Sequence, residues 1–177
     1  MIKSLSVIMR SMFTVTVRQA NYTTLGSREI MKTAIVYYSH HHGNTKKLID
    51  AIAEKHEVTL IDVTKDGDVD LSQFELVGFA SGIYYSKFND KVTEYAKKNL
   101  TKSGQKVFLL YTYGAKRDSY LKDISAAVAS KAGEIIGKYG CAGFDTFGPF
   151  KLVGGLQKGH PDPDEIAGAV KFFEGLK

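Results

Sequence analysis

Residues 39 to 45, Ser-His-His-His-Gly-Asn-Thr, gather hydroxyls, imidazoles and an amide where an apolar run ends and a charged helical pattern begins. A helix N-terminus presents unpaired backbone N–H groups and the positive end of the helix dipole. A glycine that lets the chain curl there, flanked by the hydroxyls of Ser39 and Thr45, predicts an anion cradle, and phosphate is the obvious anion. The amides from His41 to Thr45 would close around its oxygens.

Other phosphate chemistries fit poorly. The triphosphate signature GxxxxGK followed by Ser or Thr is missing, because no lysine follows Gly43 and the nearest imitation, starting at Gly133, ends in Tyr139. No GxGxxG occurs, which excludes the dinucleotide fingerprint. A phosphoacceptor domain would place acids near the first strand and an Asp at the end of the third, where this chain has Ser39 and Ser81. Imidazole is a common metal ligand, but consecutive residues in a short turn cannot converge on one ion, and no Asp, Glu or Cys stands beside His40, His41 and His42. Hydrogen bonding to phosphate, or a solvated turn, is expected for them instead, with no metal.

The cradle must be held by the elements around it. Short apolar runs at 33–39, 57–63, 75–81, 106–112 and 139–146 read as strands, with helical patterns near 44–55, 88–100, 119–137 and 163–176. Runs such as Ala-Ile-Val-Tyr-Tyr and Val-Phe-Leu-Leu-Tyr are apolar on both faces, as a parallel sheet covered by helices requires. The class is α/β. Between the second and third strands the chain is short and rich in Asp and Gly, so one helical turn is expected there. Asp162 as N-cap, Pro163 at the first helical position and Glu165 predict a capping box on the last helix. In such a sheet the chemistry belongs beyond the carboxyl ends of the strands, where strand order reverses.

A Ser-to-Gly-Asn-Thr turn directly after the first strand of a five-unit α/β domain resembles the phosphate loop of flavodoxins, which bind flavin mononucleotide (FMN). His40, His41 and His42 place three residues between Ser39 and Gly-Asn-Thr, where flavodoxins usually have two. The resemblance covers residues 31–177 and implies a flavodoxin-like three-layer sandwich with a five-stranded parallel sheet in the order 2-1-3-4-5. It implies that Ser39, His40, His41, His42, Gly43, Asn44 and Thr45 surround the FMN phosphate. Ser81, Gly82, Ile83, Tyr84 and Tyr85 would meet the ring after the third strand, with Gly82 as the hinge whose carbonyl turns toward it. Tyr84 or Tyr85 is the expected stacking residue, and each is equally open to ordinary packing. Thr112, Tyr113 and Gly114 would lie against the pyrimidine edge, with Tyr113 as a second stacking residue and Lys116 and Arg117 nearby.

The long, glycine-rich segment after the fifth strand either walls the site or packs on the surface through Phe150 and Leu152. Lys151, Lys158 and His160 on it could address an anionic substrate or partner. On this reading the chain shuttles electrons between redox partner proteins or a small-molecule acceptor, and no side chain need be catalytic. The alternative is an FMN-dependent NAD(P)H:quinone-type oxidoreductase, which would build its substrate pocket between subunits. A flavin-free module keeping the cradle for another phosphorylated ligand is a third. Both monomer and homodimer are compatible with the sequence.

Composition bounds the rest. The 177 residues are 44% hydrophobic, enough for a two-sided core in one domain. Cys141 is the only cysteine, so any redox chemistry needs a cofactor, and a reducing compartment such as the cytoplasm is expected. The formal charge is +5, but from Met31 onward 20 bases face 18 acids, +2, and they are interspersed. No basic stripe predicts nucleic acid, and no apolar run predicts a membrane span. Residues 1–30 are rich in Ser, Thr and Arg and read as an extension outside the fold, as an organellar transit peptide, or as a structured arm.

Overall fold

A computed structural model describes residues 31–176. The readings made for residues 1–30 lie outside that range.

The chain runs β1 (Thr33–Tyr38), α1 (Asn44–Lys55), β2 (Thr59–Asp62), β3 (Leu76–Tyr84), β4 (Lys87–Phe88), α2 (Asp90–Asn99), β5 (Lys106–Tyr113), α3 (Lys122–Ser130), β6 (Glu134–Ala142) and α4 (Pro163–Glu174). Five strands pair in parallel in the order β2-β1-β3-β5-β6, which is 2-1-3-4-5 once the short β4 is set aside. Successive side chains of a strand point to opposite faces. Ala34, Val36, Val77, Phe79, Val107 and Leu109 therefore pack with Val92 and Ala96 of α2 and Ile124 and Val128 of α3. Ile35, Tyr37, Leu76, Ala80, Phe108 and Leu110 face Ile49 and Ile52 of α1 and Val170 and Phe173 of α4. The result is the expected three-layer sandwich, with two helices on each face.

The helix ends follow their local chemistry. Asp162 accepts from the Glu165 amide at 2.8 Å while the Glu165 carboxylate accepts from the Asp162 amide at 2.8 Å, completing the capping box. Asn89 caps α2 by accepting from the Lys91 amide, and Lys97 and Lys98 sit in its last turn, where the dipole favours cations. The expected single turn between β2 and β3 is a 3-10 turn at Leu71–Gln73 capped by Asp70.

Two elements differ from the sequence reading. The fifth strand occupies 134–142 rather than 139–146, and the preceding helix stops at Ser130 rather than 137. Ala132, with φ 53°, turns the chain out of the helix, and Gly133 donates back to the Val128 carbonyl, so Glu134 enters the sheet with its amide on Gln105. Glu-Ile-Ile had looked helical, and the glycines of β6 look unlike a strand. A Cβ on Gly140 would fall 2.3 Å from the Tyr111 ring, which shows why the strand carries bare backbone there.

The second difference is a hairpin. β3 continues past Ser81 to Tyr84, turns on Tyr85 and Ser86, and returns as β4, pairing Ile83 with Phe88 and Tyr84 with Lys87. Both turn residues have positive φ, 50° and 61°, as a primed two-residue turn demands.

Candidate functional site

The carboxyl ends of the central strands are in register. Tyr38 of β1 lies beside Ser81 of β3, Gly82 beside Thr112 of β5, and Tyr113 beside Ala142 of β6. Between β1 and β3 the chain order reverses, and a cleft of about 370 Å³ opens there.

Its floor is the start of α1. Gly43 is the N-cap residue with φ 65° and offers no side chain to cap the helix, and the first turn contains no acid. The missing cap oxygen comes from Ser39, whose Oγ accepts from the Lys46 amide at 3.1 Å. That bond uses Ser39 as an acceptor and leaves its hydroxyl hydrogen free to donate. Thr45 is buried with Oγ1 3.0 Å from Thr112 Oγ1, tying α1 to the end of β5. Asn44 donates through Nδ2 to the Phe144 carbonyl at 2.8 Å, while its buried Oδ1 has no partner among the described residues.

The three imidazoles diverge. His40 stacks near Tyr38, His41 lies 5.7 Å from the Tyr84 ring, and His42 packs 4.4 Å from Phe144 with Nε2 2.9 Å from Thr146 Oγ1. Of the seven residues expected around the phosphate, Ser39, His41, Asn44 and Thr45 line the cleft; His40, His42 and Gly43 do not, and both of those histidines are exposed.

The walls are aromatic. Tyr84 is half-buried, its hydroxyl accepts from the His40 amide at 3.4 Å, and burial raises its pKa. Tyr85 is exposed and meets Phe147 edge to face at 5.2 Å. Tyr113 is half-buried, 5.8 Å from Tyr111, and burial raises its pKa too. Thr112 and Gly114 also line the cleft, as do Gly82 and Ile83.

Gly82 lies within β3, paired with Thr112, and its carbonyl accepts from Ser81 Oγ at 2.6 Å. The turn expected at Gly82 is instead the Tyr85–Ser86 hairpin. Ser81 is buried and also accepts from the Asn89 amide, so it secures the start of α2 and does not reach the cleft.

The segment after β6 was expected either to wall the site or to pack on the surface, but the residues it brings to the cleft were not named. Phe144, Asp145, Phe147, Phe150 and Leu156 line the cleft, and the segment folds back on itself through paired backbone bonds between Asp145 and Leu156 at 2.9 and 2.7 Å. Of the two roles expected for the segment, walling is the one observed. Asp145 also accepts from the Phe147 amide at 2.8 Å, and its Oδ2 lies 2.9 Å from where a Cβ on Gly114 would stand. Arg117, expected near the site, lines the cleft; Tyr120 was missed, and it fixes the loop after β5 by donating to the Ala115 carbonyl at 2.8 Å. Ending the fifth strand at Ala142 would have exposed Phe144 and Asp145 as site residues, since positions just past a strand end are where ligands bind.

Lys151 and Lys158 lie outside the cleft lining. His160 is engaged through Nδ1 with Glu165 Oε2 at 2.7 Å, at the start of α4. Cys141 is buried, and burial, then the charges of Glu165 and Asp162, push its thiol up to about 12. Both effects disfavour the nucleophilic thiolate.

Comparison with known proteins agrees with this geometry. The Flavodoxin domain family matches residues 35–135. An uncharacterized protein of Methanocaldococcus jannaschii is 34% identical over 148 residues, spanning 82% of this chain and 98% of that protein. A solved flavodoxin from the domain Archaea superposes with a TM-score of 0.57 at 16% identity, covering 82% of this chain and 99% of its own. A Fusobacterium nucleatum flavodoxin mutant bound to flavin mononucleotide gives 0.56 at 18% identity, with 83% and 98% covered. Sheet order and cleft position thus define an α/β sandwich of flavodoxin type. The chain belongs to the flavodoxin domain family, whose cofactor is FMN.

The donors present fit that cofactor. An acid-free, side-chain-free N-cap with a free hydroxyl hydrogen beside it suits a phosphate dianion, and a cleft walled by tyrosines suits a flat ring.

Proposed function

We propose that this chain binds FMN in the cleft and carries electrons between redox partners. The observation that carries the reading is the acid-free start of α1, with glycine at its N-cap and the Ser39 hydroxyl beside it, opening into an aromatic-walled cleft of about 370 Å³. Ser39, Asn44, Thr45 and the first amides of α1 would hold the phosphate, with His40, His41, His42 and Gly43 shaping the turn. Tyr84, Tyr85 and Tyr113 would flank the ring, with Gly82, Ile83, Thr112 and Gly114 supplying backbone at its edges and Ser81 fixing the strand end.

Bound FMN supplies one- and two-electron redox chemistry. The chain's residues set the conditions for it. The tyrosine and phenylalanine walls exclude water. Asp145 brings a carboxylate to the lining and opposes a gain of negative charge there, while Arg117 acts in the opposite sense. Electron transfer needs no reacting side chain, so on this reading the lining residues position the cofactor and tune it.

The test is to supply FMN to the purified full chain, desalt it, and record the visible absorbance. A retained flavin spectrum and reduction in separate one-electron stages are expected. A colourless protein would overturn the cofactor assignment. A single two-electron step with steady NAD(P)H oxidation would overturn the carrier in favour of a reductase.

A further inference from the structure

Among the described residues, the exposed large apolar side chains are Tyr85, Phe147, Phe150 and Leu152, at 80, 56, 39 and 89% exposure. They are not scattered. Tyr85, Phe147 and Phe150 line the mouth of the same cleft, and Leu152 stands on the same 3-10 turn, Gly148–Val153, as Phe150. Contiguous apolar side chains displayed in this way mark interaction surfaces. Tyr85 is also held at φ 50°, a conformation costly for a bulky residue, so the hairpin displays the ring at the expense of its own backbone.

Cations lie on the segments that carry this patch and line the cleft beside it, and Arg117 shares the cleft lining with Tyr85, Phe147 and Phe150. Lys116 and Arg117 follow β5, Lys151 stands between Phe150 and Leu152, and Lys158 lies just past Leu156. All four are exposed, and none forms an ion pair among the described residues, whereas Lys46, Lys65, Lys87, Lys97 and Lys98 do. The segments 114–118 and 143–160 contain two acids, Asp118 and Asp145, and the Asp145 carboxylate is bonded to the Phe147 amide. An apolar centre with a basic rim attracts a surface with an apolar centre and an acidic rim. It disfavours a second copy of the same face, since like charges would meet.

We infer that Tyr85, Phe147, Phe150 and Leu152, together with Lys116, Arg117, Lys151 and Lys158, form the docking surface for an acidic redox protein. The surface borders the cleft, so a partner seated there lies next to whatever the cleft holds. The inference rests on the proposed function only in taking the partner to be a redox protein.

The experiment is amide NMR of the isotope-labelled full chain, titrated at about 20 mM salt with an acidic plant-type ferredoxin and separately with basic cytochrome c, each with and without FMN. The signals of Tyr85, Phe147, Phe150 and Leu152 should respond to ferredoxin, lose that response near about 300 mM salt, and ignore cytochrome c. Lys151→Glu combined with Lys158→Glu should weaken ferredoxin binding at least ~10-fold, and Leu152→Ser about 3-fold. These exposed positions lie outside the cleft lining, so folding is spared. Binding of cytochrome c to the patch, no binding by either probe, ferredoxin responses elsewhere, or broadening with chain concentration alone would each overturn the inference. Absorbance of the same samples reports flavin independently. Docking without flavin retention would overturn the cofactor assignment alone, and flavin retention without docking would overturn this inference alone.

Discussion

Ser39→Ala should separate the structural and the ligand-binding work of one hydroxyl. In the free protein Ser39 Oγ accepts from the Lys46 amide at 3.1 Å and takes the place of a side-chain cap that Gly43 cannot supply. Loss of a cap costs about 1 kcal/mol, within a usual range of about 0.5–2, and this sets the expected fall in stability without FMN. With FMN present the variant also loses a donor to phosphate. A hydrogen bond to a charged group contributes about 1.5–3 kcal/mol, so the FMN dissociation constant should rise roughly 10- to 100-fold. Urea unfolding of the flavin-free protein measures the first effect, and fluorescence titration with FMN and with riboflavin, which lacks the phosphate, measures the second. Riboflavin affinity should change little. An equal loss for both flavins would refute the contact between Ser39 and phosphate, and unchanged urea stability would refute its capping role. Ser39→Thr retains the hydroxyl and should recover most of both.

Other expectations follow from individual contacts. Ser86→Gly relieves a positive φ of 61° and should stabilise the hairpin by about 0.5 kcal/mol in thermal unfolding, the relief of strain exceeding the entropy glycine adds to the unfolded chain. Gly78→Ala places a Cβ 2.3 Å from the Phe108 ring in the buried sheet and should destabilise by about 1–3 kcal/mol in urea. The Cys141 thiol, pushed up from 9.0 to about 12, should be alkylated at pH 8 on the order of 1,000-fold more slowly than the same thiol in the unfolded chain. Because its folded pKa lies above the unfolded one, it contributes stability below pH 9 that is lost as pH rises toward 12, and Cys141→Ala should flatten the loss of urea stability across that window.

The elements that sequence made legible carry strong local signals. β1 and β5 are apolar on both faces, the α1 pattern begins after a glycine, and Asp162 with Glu165 spells out its own cap. The failures have physical causes. β6 is paired along β5 with glycines where rings from the sheet and α4 press against it, so its pattern belongs to its neighbours more than to itself. The hairpin was hidden because Tyr85-Ser86 stands where Asn-Gly would have announced it. In the site, the α1 turn was readable because its residues are consecutive. Phe144, Asp145 and Leu156 reach the cleft through a backbone bridge spanning the loop, and such a bridge leaves no periodic trace in sequence.

The cleft draws on the ends of β1, β3, β5 and β6, segments separated by dozens of residues, and only the finished sheet brings them together. A ligand seated there can bind the native chain and has nothing to grip in the unfolded one. Its binding free energy is then added to folding, about 2.7 kcal/mol when free ligand reaches 100 times its dissociation constant. The lifetime of the protein in a cell would accordingly follow the supply of flavin. Scarcity would remove the chain through the proteolysis that marginal stability invites, even with its synthesis unchanged.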